Sequence, residues 1–285
     1  MQRRLKTINR LDLERDLREA GVRSGDLLVV HSSLSKVGWV LGGPLEVIRA
    51  FQNVLGPAGT LVMPTFTFNL VCWGLPPFDP EETPSRVGVV TDAFRRLDGT
   101  IRSSHPTHSV AAAGPLAHDI IGEKIDYEPL GVGSPLDRVQ TLGGKILLMG
   151  VGQNRNSTVH VAESYARVPY LEINFTEHSS WDEAWYLDAK GRRELIIIEE
   201  MPGSSEGFDV LEEPLRRLGV VRDVIIGEAP SQIMDGSRLC VAVTSMLMDN
   251  PLLLLPTEST SEITQRRRLH TINAMRQRRK TASTH

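Results

Sequence analysis

The sequence is poor in cysteine, with only Cys72 and Cys240 among its 285 residues. The two lie far apart in the chain, so their spacing matches neither a disulfide framework nor a zinc-binding cluster. A chain with so few thiols is typical of a reducing compartment. We therefore expect a cytoplasmic protein.

Long hydrophobic runs and an excess of one charge are also missing. The N-terminus, MQRRLKTINRLDLERDL, is charged where a signal peptide needs an apolar core. The longest apolar run, near residues 251–256, is too short to span a bilayer. The net charge of −3 gives no electrostatic attraction to nucleic acid or to a membrane surface. We expect a soluble protein that binds neither.

Strand-like and helix-like segments alternate up to Val168. The short apolar runs at residues 26–30 (DLLVV), 60–64 (TLVMP) and 145–151 (KILLMGV) are typical of buried strands. Amphipathic periodicity over residues 8–21, 44–55 and 157–166 predicts helices between and after them. This alternation predicts an α/β fold with a mixed, largely parallel central sheet flanked by helices.

Beyond Val168 the pattern changes. The strand-like stretches LEINFTEH and ELIIIEE are followed by residues 230–251, which are predicted to be one long helical region. We expect an additional α+β C-terminal portion packed on the same core, so that residues 1–256 form a single domain. Residues 257–285 are a basic C-terminal tail, expected to be helical or partly disordered. The alternative for this tail is an arm for RNA binding or oligomerisation.

The segment HSSLSKVGWVLGGP joins the first buried strand to the helix of residues 44–55. Its serine hydroxyls and backbone N–H groups near a positive helix end suit a phosphate group. Neither GxxxxGK[ST] nor GxGxxG occurs here, so a nucleoside triphosphate and a dinucleotide are not favoured. A structural turn with capping serines is the alternative.

A second polar turn, RSSHPTHS, spans residues 102–109. Pro106 lies between His105 and His108, which excludes a helical pair of metal ligands. The turn is a candidate for lining a cleft, and an ordinary surface histidine is the alternative for His108.

The third stretch, GVGQNRNSTVHVAESYA, includes the end of the strand of residues 145–151. Its polar residues are suited to capping a helix at the carboxyl end of a sheet strand, where open α/β sheets bind ligands. His160 and Glu163 then lie on one face of that helix. The helix dipole disfavours a histidine cation there, which leaves the neutral imidazole that a general base requires. The alternative is a capped helix with a core histidine.

Together, the three segments resemble the aminoglycoside 3-N-acetyltransferase family, and the resemblance runs from about residue 7 to residue 255. It is carried by the order and spacing of HSSLSKVGWVLGG, GTLVMPTFT, FDPEETPSRVGVVTDAFRR, RSSHPTHSVAAAG, GVGSPLDRV, GGKILLMGVGQNRNSTVHVAE and EEMPGSSEGFDV. A Ser/His hydrolase is the rival enzyme class, and its nucleophile-elbow pattern GxSxG occurs once, at residues 203–207, inside a segment that carries the resemblance.

The resemblance implies an acyltransferase of the antibiotic-resistance type that moves an acetyl group from acetyl-CoA to a primary amine by direct attack, without a metal ion. It also implies that CoA contacts two segments. The first comprises Ser32, Ser33, Leu34, Ser35, Val37 and Gly38, and the second comprises His105, Thr107, His108, Ser109 and Val110.

The resemblance further implies that His160 is the base that prepares the amine for attack on the thioester. An acidic neighbour is needed to orient the imidazole and to stabilise its cation, and Glu163 and Glu199 are the candidates. Negative charge that develops on the thioester oxygen needs hydrogen-bond donors. Thr158, or backbone N–H groups near it, are the candidates for that role.

The departures from the family pattern concern the amine. Pro202 and Gly203 replace two acidic residues of the family, and Val132 replaces a third. Aminoglycosides are polycations and bind best in clefts rich in carboxylates. An aminoglycoside amine is therefore one expectation, and another amine, such as an amino sugar or a biosynthetic intermediate, is the alternative.

A non-catalytic CoA-binding scaffold is the alternative from outside enzymology. Such a protein is expected to have lost His160 or its acidic neighbours, and this chain keeps both. If the chain forms a homo-oligomer, we expect the contact to use helical surfaces or the basic tail.

Overall fold

A seven-stranded mixed sheet lies at the centre of the fold, with helices on both faces. The computed structural model describes residues 7–122, 125, 128–173, 183–188, 190–198 and 204–282. The strands are β1 (Thr7–Ile8), β2 (Leu27–Ser32), β3 (Trp39–Val40), β4 (Thr60–Pro64), β5 (Ile101–Arg102), β6 (Val110–Ala113), β7 (Lys145–Met149), β8 (Glu183–Leu187), β9 (Arg193–Ile197), β10 (Val221–Ile226) and β11 (Ala229–Asp235). The helices are α1 (Arg10–Glu19), α2 (Leu34–Val37), α3 (Gly43–Leu55), α4 (Val89–Phe94), α5 (Ala117–Ile121), α6 (Pro135–Thr141), α7 (Val159–Ala166), α8 (Glu212–Arg217), α9 (Gly236–Asp249) and α10 (Glu262–Ala282). Short 3-10 helices occur at Val71–Trp73, Gln153–Arg155, Pro169–Glu172 and Ser205–Leu211.

The order of strands in the main sheet is β10-β11-β7-β2-β4-β6-β5. Strand β2 pairs in parallel with β4 and with β7, and the outer pairs are antiparallel. The predicted α/β class with a mixed sheet flanked by helices is confirmed, but the sheet is less parallel than predicted, because among its described pairings only the two central ones of β2 are parallel. Strands β1 and β3 form a small parallel pair, and β8 and β9 form a separate hairpin.

Strand β2 is buried on both faces, and its successive residues contribute to two different cores. Leu28 and Val30 belong to the core that also contains Phe51 of α3. Val29 belongs to the opposite core, which contains Val161 of α7 and residues of α9. Because side chains alternate across a strand, a continuous apolar run is what two covered faces require.

Helix α1 begins at a capping box. The Asn9 side chain accepts a hydrogen bond from the Asp12 backbone N–H at 3.1 Å, and the Asp12 carboxylate accepts one from the Asn9 N–H at 3.1 Å. This reciprocal arrangement satisfies two backbone donors at a helix start. It explains why the predicted helix of residues 8–21 begins at Arg10.

The prediction of one long helical region over residues 230–251 is wrong for its first part. Residues 230–235 belong to β11, which pairs with both β10 and β7, and α9 begins only after Asp235. The Asp235 carboxylate caps α9 by accepting from the Arg238 N–H at 2.8 Å. Pairing with two strands overrides the local pattern, because an unpaired buried backbone is costly.

The strand-like segment LEINFTEH begins differently from its prediction. Leu171 and Glu172 lie in the 3-10 helix Pro169–Glu172, and the segment beyond Ile173 lies outside the described residues. The segment ELIIIEE supplies most of β9, as predicted.

The basic tail contains α10, which packs against the 3-10 helix Pro169–Glu172. Thr264, Arg267 and Thr271 are buried on one side of α10. Within the described part of the chain, no helix combines the length and the apolar character needed to cross a membrane.

Candidate functional site

A cavity of about 580 Å³ opens where the parallel strands end. Ser32 ends β2, Pro64 ends β4 and Val151 follows β7, and all three line this cavity. Ligands of open α/β sheets bind at such carboxyl ends, and this volume is typical of a small-molecule site. This cavity lies at the edge of the sheet where the three polar segments were expected to bind a ligand.

His160 lies on the cavity wall at the start of α7 and is held by a buried carboxylate. Its Nδ1 lies 2.6 Å from Oε2 of Glu163, and the two side chains are 8% and 1% exposed. The hydroxyl of Tyr170 donates to Oε1 of Glu163 at 2.7 Å. Both carboxylate oxygens are thus engaged, which fixes the direction of the imidazole. The ring of Phe208 packs against His160 with centroids 4.9 Å apart.

The Tyr170 hydroxyl is suited to serve as a fixed donor. Burial raises the pKa of Tyr170 well above its ordinary value, and the negative charge of Glu163 raises it further. The phenol therefore stays protonated and keeps donating to the carboxylate.

The turn before α7 is built from side-chain hydrogen bonds. The Asn156 amide donates to Gln153 Oε1 at 2.8 Å, and Gln153 donates to Gln232 of β11 at 2.8 Å. The Thr158 hydroxyl donates to Asn156 Oδ1. Thr158 is buried behind the cavity wall, whereas its neighbour Ser157 lines the cavity.

The loop after β2 brings two of its predicted residues to the cavity, namely Ser32 and Ser33. Its start is tied to β7, because the Ser33 N–H donates to the Met149 carbonyl at 2.9 Å. The hydroxyls of Ser33 and Ser35 lie 3.2 Å apart. Leu34, Ser35, Val37 and Gly38 lie off the described cavity lining.

The end of this loop is held by the turn between β10 and β11. The Val37 side chain is fully buried, and its carbonyl accepts from the Glu228 N–H at 2.8 Å. A Cβ on Gly227 would lie 2.5 Å from the Val37 carbonyl oxygen, so this close approach requires glycine.

The second polar turn places Thr107 and His108 on the cavity wall. His105 lies behind them, and its Nδ1 accepts from the backbone N–H groups of Thr107 and His108, each at 3.2 Å. Burial lowers the pKa of His105 to about 3 and holds that of His108 well below its ordinary value. Both rings are therefore neutral near pH 7.

Ser109 and Val110 belong to the frame of the site. The Ser109 hydroxyl donates to the Thr65 carbonyl at 2.9 Å, and Val110 is fully buried in β6. Neither residue lines the described cavity.

Arg102 is an organising residue that the sequence did not single out. Its guanidinium donates to the carbonyls of Thr65 at 2.7 Å, Thr83 at 2.6 Å and Pro80 at 3.1 Å. It also lies 4.9 Å from the centroid of the Phe78 ring. Burial lowers the pKa of Arg102 to about 9. The residue therefore fixes the segment of residues 80–83, whose continuation places Arg86 and Val87 on the cavity wall.

Several further cavity residues were missed by sequence reasoning. Phe66, Phe68, Leu70 and Trp73 form an apolar wall, and Arg86, Asn154 and Arg155 add polar groups. The apolar wall follows β4 in a segment without periodicity, so no repeat pattern could reveal it.

His31 was also missed, although it lies at the end of the first buried strand, just before the serine-rich loop. It lines the cavity, and its buried Nε2 has no hydrogen-bond partner within the described protein. Burial lowers the pKa of His31 to about 4. Its position at the carboxyl end of a predicted strand could have identified it as a candidate site residue.

Glu199, the second candidate partner of His160, lies outside the described residues. Within the described ranges, no group of three or more His, Cys, Asp or Glu side chains is arranged to hold a metal ion.

Comparison with protein families gives one description that agrees with this geometry. The model of the aminoglycoside 3-N-acetyltransferase family matches residues 29–248. Aminoglycoside N(3)-acetyltransferase IV of Salmonella sp is 44% identical over 239 residues, which cover 82% of this chain and 85% of that protein.

Solved structures show the same likeness. A crystal structure of aminoglycoside acetyltransferase AAC(3)-IVa, in which one histidine is replaced by alanine and a gentamicin is bound, superposes with a TM-score of 0.82. It is 32% identical, and the match covers 95% of this chain and 100% of that one. A structure of AAC-IIIb with CoASH gives a TM-score of 0.73 at 26% identity, covering 86% and 97% of the two chains.

Proposed function

Because this chain belongs to the aminoglycoside 3-N-acetyltransferase family and is an acyltransferase, we propose that it transfers the acetyl group of acetyl-CoA to a primary amine of an aminoglycoside, at the 3-amino group of 2-deoxystreptamine. His160 is the general base of this reaction.

The bond between His160 and Glu163 carries the proposal. Among the described histidines that line the cavity, which are His31, His108 and His160, only His160 is bonded to a carboxylate. A base becomes a cation when it takes a proton, and a buried cation needs such a partner. His31 and His108 are held neutral by burial, so they are poorly suited to that step.

The reaction balances with these groups. The amine nitrogen attacks the thioester carbonyl carbon, His160 takes a proton from the nitrogen, and the C–S bond breaks. Since Nδ1 is engaged by Glu163, the other ring nitrogen is the one that takes this proton. The proton then leaves with the CoA thiol. Backbone N–H groups near Thr158, and the Ser157 hydroxyl on the cavity wall, are the candidate donors to the developing oxyanion.

The cavity has the features that an acyl-CoA substrate requires. Ser32, Ser33 and Thr107 offer hydroxyls, and the guanidinium groups of Arg86 and Arg155 offer positive charge for phosphates. The apolar wall of Phe66, Phe68, Leu70 and Trp73 suits the acetyl and pantetheine portions. The structure of AAC-IIIb with CoASH supports CoA as the donor here.

Acidic groups beside the cavity support a cationic amine. Asn154, on the cavity wall, donates to the exposed Asp209 carboxylate from its backbone N–H and its side-chain amide, each at 3.2 Å. Glu212 lies next to the same turn and accepts from the Gln153 N–H at 3.2 Å. A relative that binds a gentamicin supports the aminoglycoside class.

A different amine is the second candidate. Val132, which replaces a family acid, is 49% exposed, so a charged side chain is absent where solvent has access. One carboxylate fewer in this segment, whose Leu130 lines the cavity, favours a less cationic substrate, such as an amino sugar.

The test is release of CoA thiol from acetyl-CoA by the purified protein, with a panel of aminoglycosides and simple amino sugars. We expect release with an aminoglycoside, and loss of release in His160→Ala while CoA binding persists. His118→Ala is the matched control, because His118 is exposed on α5. Release with amino sugars alone would favour the second candidate substrate over an aminoglycoside. Full activity of His160→Ala would show that His160 is not the general base.

A further inference from the structure

Helix α10 buries an arginine that its sequence gives no reason to bury. The tail is rich in arginine, yet Arg267 is only 1% exposed and is one of the largest fully buried side chains of the protein. Arginine is almost never fully buried unless it is paired. Its surroundings therefore indicate a role beyond solubility of the tail.

Arg267 is attached to the segment that carries Tyr170. Its Nε and Nη2 both donate to the carbonyl of Ile173, at 3.1 Å and 2.9 Å. Ile173 immediately follows the 3-10 helix that contains Tyr170, and the Tyr170 hydroxyl donates to Glu163. One guanidinium thus fixes the backbone from which the second partner of Glu163 projects.

The charge of Arg267 also acts on the same groups. Burial lowers the pKa of Arg267, and the negative charge of Glu163 opposes that effect. A buried cation is tolerated when an ionised partner is near, and the reverse holds for the buried carboxylate. Arg267 and Glu163 therefore attract one another.

We propose that Arg267 is a positioning residue for catalysis, which reaches from the C-terminal helix through Tyr170 and Glu163 to the imidazole of His160. The proposal rests on the proposed function, because it assigns Arg267 to the same base. Arg267 does not line the cavity, so it acts through the other groups and not on the substrate.

The sign of its effect follows from the charges that face His160 and Glu163. Among the described titratable groups that act on this pair, His108 and Tyr170 are neutral near pH 7, so the charge is that of Arg267 from α10. The positive charge of Arg267 opposes addition of a proton to the pair. Removal of the Arg267 charge makes the pair easier to protonate. As the pH falls, the neutral imidazole that acts as base is therefore lost at a higher pH than in the unchanged protein.

The test compares Arg267→Met with Arg267→Lys. We expect the acid limb of kcat/KM in Arg267→Met to move to higher pH by on the order of one unit, the lower end of the effect of a nearby charge. Arg267→Lys keeps the charge and is expected to retain the limb of the unchanged protein.

The matched control is Arg268→Met. Arg268 is the next residue of α10 and also donates to a backbone carbonyl, that of Leu255 at 2.6 Å. It therefore reports the cost of losing an arginine that anchors the helix. A role of Arg267 that is only structural predicts that both methionine variants lower the melting temperature and leave the acid limb in place, and that result overturns the proposal.

A second readout is independent of acetyl transfer. The imidazole of His160 is titrated by NMR in the unchanged protein and in Arg267→Met, with His160→Ala to assign the signal. A midpoint that rises in Arg267→Met supports the proposal, and an unchanged midpoint overturns it. Full activity of His160→Ala would contradict the proposed function instead, so the two failures are distinguishable.

Discussion

Glu163 Oε2 lies 2.6 Å from Nδ1 of His160, three residues earlier on α7. The spacing places both side chains on one face of the helix. Glu163 is almost fully buried, so water screens its interaction with the imidazole only a little. In the proposed reaction, the pair provides an oriented base with a counter-ion already in place.

Replacement of this counter-ion is the most direct test of the pair. We expect Glu163→Gln to lower kcat by roughly 100-fold or more, since the amide can still accept a hydrogen bond but no longer stabilises an imidazolium. Steady-state acetyl transfer measures it. The control is Glu172→Gln, which removes an acid that is largely exposed and pairs with His270 at 3.1 Å. Equal kcat values for Glu163→Gln and the unchanged protein would show that the carboxylate is not part of the reaction.

Loss of the Tyr170 hydroxyl tests the second hydrogen bond to Glu163. Tyr170→Phe leaves the buried Oε1 without this donor, and we expect the free energy of unfolding to fall by about 1–3 kcal/mol. Urea denaturation measures this change. Tyr165→Phe is the matched control, because Tyr165 donates to Asp137 at 3.1 Å but is 43% exposed. If the free energy of unfolding falls equally in both variants, the buried hydrogen bond of Tyr170 contributes no more to stability than the exposed one of Tyr165.

Much of the fold could be predicted because the central strands are buried on both faces. The run TLVMP is β4 to the residue, the predicted strand of residues 145–151 begins with β7 but continues past its end at Met149, and DLLVV overlaps β2 from Leu27 onward. Continuous apolar runs that are this short and follow glycine-containing turns favour buried strands over helices. The strand β11 was missed because its formation depends on pairing with β7, more than 80 residues away in the chain, which local periodicity does not report.

The site was predictable where chemistry is encoded in adjacent residues. His160 and Glu163 could be paired from helical spacing alone. Arg102 and Arg267 could not be found this way, because each acts through backbone carbonyls of distant segments. Every residue has a backbone carbonyl, so a contact with one does not depend on residue type and gives no signal in the sequence.

Positive charge on the cavity wall predicts a salt-sensitive affinity for CoA. We expect Arg155→Gln to weaken CoA binding by roughly 1.4- to fivefold at low salt, because an exposed charge contact contributes on the order of 0.2–1 kcal/mol. The difference should shrink at high ionic strength. Calorimetric titration at two salt concentrations measures it. Arg217→Gln, which removes an exposed arginine of α8 away from the cavity, serves as control. Equal weakening in both variants would indicate an effect of net charge only.

The buried histidines predict a loss of stability in mild acid. Burial lowers the pKa of His105 from 6.5 to about 3 and that of His31 to about 4, so both are neutral in the folded protein while the unfolded chain takes up protons below about pH 6.5. Their contribution to stability is present above that pH and falls as the pH drops toward these folded-state values.

In His105→Asn the side-chain oxygen replaces Nδ1 as acceptor for the Thr107 and His108 N–H groups, but it cannot be protonated in this range. We expect the free energy of unfolding of this variant to fall less steeply between pH 6 and pH 4, by up to about 1.4 kcal/mol per pH unit, which corresponds to one proton. Urea denaturation at a series of pH values measures the slope. An unchanged slope would mean that His105 is protonated in the folded protein, contrary to its burial.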